Sequence, residues 1–403
     1  MYQVEVSMKK VILTRGVRTP IGNFGGALRD ITAQELLKIV FEEAIKRTNI
    51  DPAIIDDVIA GCIIQGSDAP NIARVSALMA GVPDHVPAYT VQRNCVSSIQ
   101  AITSAYQAIQ TGDGELFLTG GTESMSNATY VLRKARFGYR LRHGELIDTL
   151  WEGLTDPIVD QIMGRTAENV AEKYGITREE QDEFAIQSHK KAFRATREGK
   201  FKDEIVVMQI AKKMAGRDVA PETFAEDECI NIGLTKQMLS LYPTVFKEDG
   251  TVTPGNSCSI SDGAAALFVM SEDKAKELGI TPEFYVRGYG YAAVSPAYMG
   301  EGPIHATPLA LKKAGLKIED IDYFEINEAF AAQVIPSKRE LNIPDEKFNV
   351  NGGAIALGHP VGATGARLVV TLQHILRNRD ANLGVAAACV GGGMGGAIVI
   401  ERV

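Results

Sequence analysis

Hydrophobic and polar residues alternate in the same way along two distant stretches of the chain. Residues 44–61 (AIKRTNIDPAIIDDVIAG) and 310–327 (ALKKAGLKIEDIDYFEIN) align without gaps and share Ala, Lys, Ile and Asp at matching positions. Each reads as the end of an amphipathic helix, a turn and a short buried strand. A second matching stretch follows in each copy. In the first, Asn94-Cys95 precedes Ile99, Ile102, Tyr106 and Ile109 at 3-4-3 spacing. This predicts a helix with Cys95 at its N-terminus, then a Gly112-Asp113-Gly114 turn and the strand LFLTGG. In the second, NGGAIALGHPVGATG precedes Leu368, Leu372 and Ile375, again at helical spacing, and the small-residue strand GVAAAC ends at Cys389. Two copies predict a duplicated α/β unit, since a solenoid needs more repeats. The repeat puts Cys95 and His359 near equivalent strand-to-helix junctions, which a pseudo-twofold packing of the halves would bring face to face.

Between Glu123 and about Asp249 the pattern changes to charged, irregular segments and apparent helices. One such helix opens at Thr177, where Thr177 and Glu180 form a capping box. The expected division is therefore a first half of residues 1–122 and 250–272, an inserted domain of 123–249, and a second half of 273–403.

Composition narrows the function. The chain has 403 residues, 45% hydrophobic and 23% charged, enough for two or three domain-sized units. The opening segment brings charge before any long apolar run, so neither a signal peptide nor a membrane span is expected. Five cysteines (Cys62, Cys95, Cys229, Cys258, Cys389) lie far apart with no CxxC pair. That suggests neither a disulfide framework nor a zinc site, and it fits a reducing cytoplasm or, for a processed eukaryotic protein, the mitochondrial matrix. A net charge of −8 argues against nucleic acid as the main partner. One stretch runs the other way: Arg133 to Arg142 carries five cations and two aromatics. It reads either as a solvated basic loop or as a phosphate or partner contact.

Cys95 leads the candidates for chemistry, because a helix N-terminus offers free N–H groups and a positive dipole end, both favouring a thiolate. A buried small residue is the plainer reading of the same position. His359, held by Pro360 in a glycine-rich loop, suits a base or hydrogen-bond donor, or a structural loop position. Cys389 ends a strand and enters GGGMGG, whose free N–H groups suit an oxyanion. That run formally matches GxGxxG, but too little chain follows for a dinucleotide-binding unit. GNSCSISDGAAA from Gly255 lacks the spacing of a nucleophilic serine and is expected to return the chain to the core. Asn327, at a strand end, can hold a water or carbonyl oxygen or simply form an Asx turn; Glu328 beside it can fix neighbouring backbone. Two cysteines, a histidine and an asparagine at junctions of a duplicated unit suit covalent acyl transfer better than a metal site.

NCVSSIQA around Cys95, NEAFAAQ from Asn327, NGGAIALGHPVGATGAR from Asn351 and CVGGGMGGA from Cys389 resemble the four active-site blocks of the thiolase family. RTPIGNFGGAL, MGRTAENVAEKYGITREEQDEFA and GTVTPGNSCSISDGAAA extend the resemblance over essentially the whole chain. It implies two βαβαβαββ halves in a five-layered α/β/α/β/α core with an inserted loop domain. It implies an acyltransferase whose substrates are acyl-CoA and free CoA, with no separate cofactor or metal, built as a homodimer or homotetramer. It also implies residue roles: Cys95 the acylated nucleophile, His359 its activator, and Cys389 the second acid/base. Asn327 would hold a water that helps His359 stabilise the thioester oxyanion, and the N–H groups of Cys95 and Gly391 would form a second oxyanion hole.

The sequence departs from the acetoacetyl-CoA thiolase pattern. The tunnel His-Met pair reads Ile162-Met163, the tunnel serine corresponds to Cys258, and the nucleophile block reads Cys-Val-Ser-Ser where Cys-Gly-Ser-Gly is frequent; Met299 matches. Acetyl-CoA C-acetyltransferase activity is the leading expectation, with longer 3-ketoacyl chains the alternative. A decarboxylating ketoacyl synthase is a third reading, against which Cys389 argues, since those enzymes lack a second catalytic cysteine. A catalytically dead CoA-binding protein would not need all these side chains.

Overall fold

The computed structural model describes residues 8–214 and 217–403. The start of the opening segment and residues 215–216 lie outside the described residues. In the first half β1 (Val11–Leu13) leads to α1 (Ala33–Thr48), β2 (Asp57–Gly61), α2 (Ile72–Met79), β3 (Ala88–Val91), α3 (Ser97–Thr111) and β4 (Leu116–Ser124). The chain then departs through α4 (Met163–Tyr174) and α5 (Arg178–Arg197) and returns as β5 (Ser261–Ser271). The second half runs β6 (Phe284–Ala293), α6 (Gly302–Ala314), β7 (Tyr323–Ile326), α7 (Ala331–Glu340), α8 (Thr364–Asn378), β8 (Leu383–Val390) and β9 (Met394–Arg402).

The repeat is visible at the level of single residues. Helices α1 and α6 stop at left-handed positions, Asn49 (φ 55°) and Gly315 (φ 69°), which sit at matching places in the two copies. A 3₁₀ turn follows each, Pro52–Ile54 and Ile318–Asp320, again at matching places. Strands β2 and β7 come next. Outward from the central β1–β6 pair, the strands run β1-β5-β4-β2-β3 on one side and β6-β9-β8-β7 on the other. A parallel bridge from Phe324 to Phe348 marks the place of the third strand in the second copy. Both halves thus have the same strand order. Strand β2 is parallel to β3 and β4, and β7 to β8, while the remaining pairs are antiparallel.

Side-chain alternation along the strands sorts the core into layers. Leu116 and Leu118 of β4 face outward with Val58 and Phe268 against α1 and α2, whereas Phe117 faces inward. The inner cluster joins Phe117, Leu267 and Val269 of the first half to α3, α8, and Ala388, Ile398 and Ile400 of the second. Phe324, Val385 and Val399 cover the far face with Ala306, Ala310 and Leu311 of α6 and Val334 of α7. Helix, sheet, paired helices, sheet, helix is the resulting order, the five-layered arrangement expected. The central helices touch closely: a Cβ on Gly365 would sit 2.6 Å from the Ile99 amide nitrogen, and Ala366 N–H donates to Ser98 Oγ at 2.8 Å. Among the described residues, no helix is long and apolar enough to cross a membrane.

Candidate active site

The nucleophile candidate sits in a tight turn before α3. Asn94 adopts φ 42°, a left-handed conformation asparagine tolerates, and Ser97 Oγ braces the turn by donating to Asn94 O (2.7 Å) and accepting from Arg93 N–H (2.9 Å). Asn94 Nδ2 donates to Gly391 O at 2.8 Å, tying the turn to the second half. In return, the Gly391 amide and the amide of Cys95 itself hydrogen-bond the Cys95 sulfur. Those N–H groups favour a thiolate, as expected of a helix start. Burial nevertheless dominates, helped by the nearby Glu123 carboxyl, and the thiol is pushed up to about 11. At neutral pH the resting group is the thiol, so activation needs a base.

His359 sits before α8. Its backbone N–H donates to Ser261 Oγ at 3.2 Å, and Gly358 turns the chain with φ 103°, where a Cβ would also meet Ser261 Oγ at 2.6 Å. His359 Nδ1 lies 2.6 Å from Thr364 Oγ1, and the Thr364 hydroxyl donates to Pro360 O at 3.0 Å. A hydroxyl has one hydrogen, so Nδ1 carries the proton and Nε2 presents the lone pair, the acceptor side of the ring. Asn327 Nδ2 stands 3.3 Å from that Nε2. Burial, with the charge of Arg367, lowers the imidazole to about 3. It rests neutral, able to accept a proton.

Asn327 follows β7, its N–H bonded to Ala387 O (2.9 Å) and its carbonyl accepting from Gln333 Nε2 (3.3 Å). Among the described residues its buried Oδ1 has no partner. Cys389, near the end of β8, is buried, and its thiol is pushed well up by burial and by the neighbouring Cys95 and Cys258 sulfurs. Gly391 to Gly393 form the turn between β8 and β9. The GxGxxG-like string is thus a β-hairpin with no nucleotide-binding helix. Glu123 clamps the halves, accepting from Ile63 N–H (3.0 Å), Ile64 N–H (2.9 Å) and Gly362 N–H (3.0 Å).

Cys95, His359, Cys389 and Gly391 line one cavity of about 680 Å³, in the range of small-molecule sites. Met163, Cys258 and Met299 line it too, as does Ile162; Asn327 stands just behind His359. Burial pushes the Cys258 thiol up as well, with Cys95 the next contributor. Seven of the site residues expected from the sequence therefore line one cavity, with Asn327 behind it. The segment from Gly255 does return the chain to the core as β5, yet its Cys258 also faces the cavity.

Several wall residues escaped the sequence reading. Tyr130 comes from a three-residue strand, Trp151 from a five-residue helix and Phe246 from a loop, all too short for a periodic signal in the sequence. Thr364 was findable, since it opens a helix five residues after the candidate histidine. The basic stretch is the exposed tip between two short strands, Tyr130–Leu132 and Leu146–Asp148, with Phe137 and Leu141 almost fully exposed.

A duplicated five-layered fold with two thiols, an imidazole and convergent N–H groups on one apolar cavity defines the class: an acyltransferase. Residues 11–273 match the thiolase N-terminal domain and residues 280–402 the thiolase C-terminal domain, so the chain belongs to the thiolase family. It is 45% identical over 396 residues to a probable acetyl-CoA acyltransferase of Staphylococcus aureus, covering 98% of this chain and 100% of that one. The Bacillus anthracis acetyl-CoA acetyltransferase superposes with a TM-score of 0.95 at 47% identity, over 99% of this chain and 100% of that one. Human mitochondrial 3-ketoacyl-CoA thiolase in complex with CoA gives 0.94 at 41%, over 98% of each chain.

Proposed function

We propose that this thiolase interconverts 3-ketoacyl-CoA plus CoA with acetyl-CoA plus the shortened acyl-CoA through a thioester on Cys95. The observation that carries the reading is the convergence of the Cys95 and Cys389 thiols and a neutral imidazole on one cavity. In cleavage, His359 Nε2 takes the Cys95 proton and the thiolate attacks the 3-keto carbon. The C2–C3 bond breaks, and the Cys389 thiol protonates the departing acetyl-CoA carbanion. The Cys389 thiolate so formed deprotonates the CoA thiol, which attacks the acyl-Cys95 carbonyl; acyl-CoA leaves and the released Cys95 thiolate takes its proton back from His359. The amides of Cys95 and Gly391, already aimed at the sulfur, stabilise the oxyanion of that step. A water on the unpartnered Asn327 Oδ1 would join His359 at the thioester oxygen. Condensation is the reverse.

Coenzyme A enters along the inserted domain (123–249), with Met163, Cys258 and Met299 against the pantetheine and acyl groups; the core halves are 1–122 with 250–272, and 273–403. Acetyl transfer on acetoacetyl-CoA is the leading substrate assignment, in line with the Bacillus anthracis enzyme. A broader chain-length range is the second reading, supported by the apolar wall of Trp151, Phe246 and Phe330 and by Ile162 and Cys258 at tunnel positions. A homodimer or homotetramer is the assembly this reading expects, with β3 at the edge of the sheet. A cytoplasmic location fits the five free cysteines and the bacterial relatives.

The test is thiolysis of 3-ketoacyl-CoA substrates of increasing chain length beside acetyl-CoA condensation. A kcat/KM falling at least about tenfold beyond four carbons supports acetoacetyl-CoA specificity. A flat or rising series replaces it with the broad reading, and dependence of condensation on a malonyl thioester would overturn both.

A further inference from the structure

The face of α8 turned toward β7 carries buried polar residues at helical spacing, Thr364, Arg367 and Thr371. Each meets another element. Thr364 holds His359 Nδ1 at 2.6 Å, Arg367 Nη1 lies 3.5 Å from Glu325 Oε2, and Thr371 Oγ1 donates to Glu204 Oε1 at 3.1 Å. Glu325 and Asn327 are two residues apart on extended chain and share a face. The Arg367–Glu325 pair therefore lies one rung behind Asn327 and His359.

It is an incompletely made ion pair. Among the described residues, Arg367 Nε and Nη2 and Glu325 Oε1 find no hydrogen-bond partner. A buried pair so thinly bonded adds little to stability, so its effect falls on its neighbours. The groups facing Arg367 are Glu325, Arg18, Glu204 and Glu328; those facing Glu325 are Arg367, Glu328, Glu204 and Lys191. Glu204 is already engaged by Arg18 at 2.6 Å, which also binds Asp227 at 2.7 Å. Glu328 is occupied by Ser188 Oγ (2.6 Å) and Asn349 Nδ2 (2.8 Å). Glu325 is left as the counter-charge of Arg367, and Arg367 is the charged group acting on His359.

We propose that Arg367 and Glu325 are a positioning pair for the reaction, in which the Arg367 charge, offset to a varying degree by Glu325, governs how readily His359 takes a proton from Cys95. The inference rests on His359 being the base for Cys95. Burial raises the Glu325 carboxyl to about 8. Below that pH Glu325 is neutral, Arg367 acts on His359 unopposed, and the imidazolium is disfavoured. Above it the carboxylate offsets Arg367, and His359 accepts the proton more readily.

The experiment follows the burst of Cys95 acylation by acetyl-CoA across the pH range around neutrality, in wild type, Glu325→Gln, Arg367→Met and His359→Ala. Wild type should show a step, a rise in burst rate as the pH passes through about 8, where Glu325 ionises. Glu325→Gln loses the step at the low level, because Arg367 is never offset. Arg367→Met loses it at the high level, because no charge is left to offset. KM stays unchanged in both. A step that persists in Glu325→Gln overturns the proposal, as does an equal loss at every pH in both variants. Should His359→Ala acylate as fast as wild type, the assignment of the base fails instead.

Discussion

The junctions before α3 and α8 occupy corresponding places in two copies of one scaffold, yet they hold their reactive groups in opposite ways. Cys95 sits in a turn, stabilised by amides from both halves, on a helix whose other face is only partly buried. His359 leads into a helix buried at every position from Thr364 to Leu376, with a hydroxyl on one ring nitrogen and an arginine behind. The first environment keeps a thiol protonated until needed; the second keeps an imidazole neutral and oriented. Duplication thus supplied two equivalent helix starts, and the different layers around them suit one to the proposed nucleophile and the other to the proposed base.

Removing the proposed nucleophile tests the division most severely. Cys95→Ala should lower thiolysis and condensation by at least about 10⁴-fold and leave no acyl adduct by mass spectrometry. Retained turnover would mean that Cys389 or Cys258, in the same cavity, carries the acyl group. Cys389→Ala is the sharper test of roles. It should still acylate at Cys95 with acetyl-CoA but lose roughly 10²–10⁴-fold in C–C bond cleavage and formation, the scale of a lost acid/base group. Equal loss of both half-reactions would put the two thiols in one step.

The scaffold half of this comparison was legible in the chain. Gap-free alignment of 44–61 with 310–327 already contained the matching helix ends, turns and strands, because local turn chemistry and apolar period are sequence-near properties. The candidate residues were legible for the same reason, each lying at a strand end or helix start. What could not be read was the balance of forces on them. A helix N-terminus at Cys95 suggested a thiolate, whereas the thiol is raised because residues distant in sequence, from Glu123 to Met163 and Phe330, enclose it. The cavity wall was equally hidden, since Tyr130, Trp151 and Phe246 arrive from an insertion with no repeat to predict its course.

The base side can be probed at Thr364. Thr364→Val keeps shape but removes the acceptor for His359 Nδ1–H, freeing the ring to change tautomer. One hydrogen bond is about 1 kcal/mol, so kcat for acylation should fall roughly five- to tenfold with KM unchanged. If KM rises and kcat holds, Thr364 shapes the cavity and does not orient the base.

The smallest effect belongs to the inserted region, and it asks whether the two junctions depend on it for more than a wall. Helix α5 opens on Thr177, whose Oγ1 accepts from Glu180 N–H at 3.2 Å while Glu180 Oε2 accepts from Thr177 N–H at 2.9 Å. Thr177→Ala removes half of that box and should cost about 1 kcal/mol. The helix also carries Ser188, which donates to Glu328 beside Asn327, so fraying at its start lies roughly 16 Å along the axis from the contact that matters, at 1.5 Å per residue. Loss of the cap should therefore lower the thermal midpoint by a degree or two for a chain of this size and leave kcat/KM within about twofold. A larger fall in activity than in stability would show that the insertion sets the geometry of the base side through Ser188 and Glu328, and that the contrast between the junctions is maintained from outside the duplicated core.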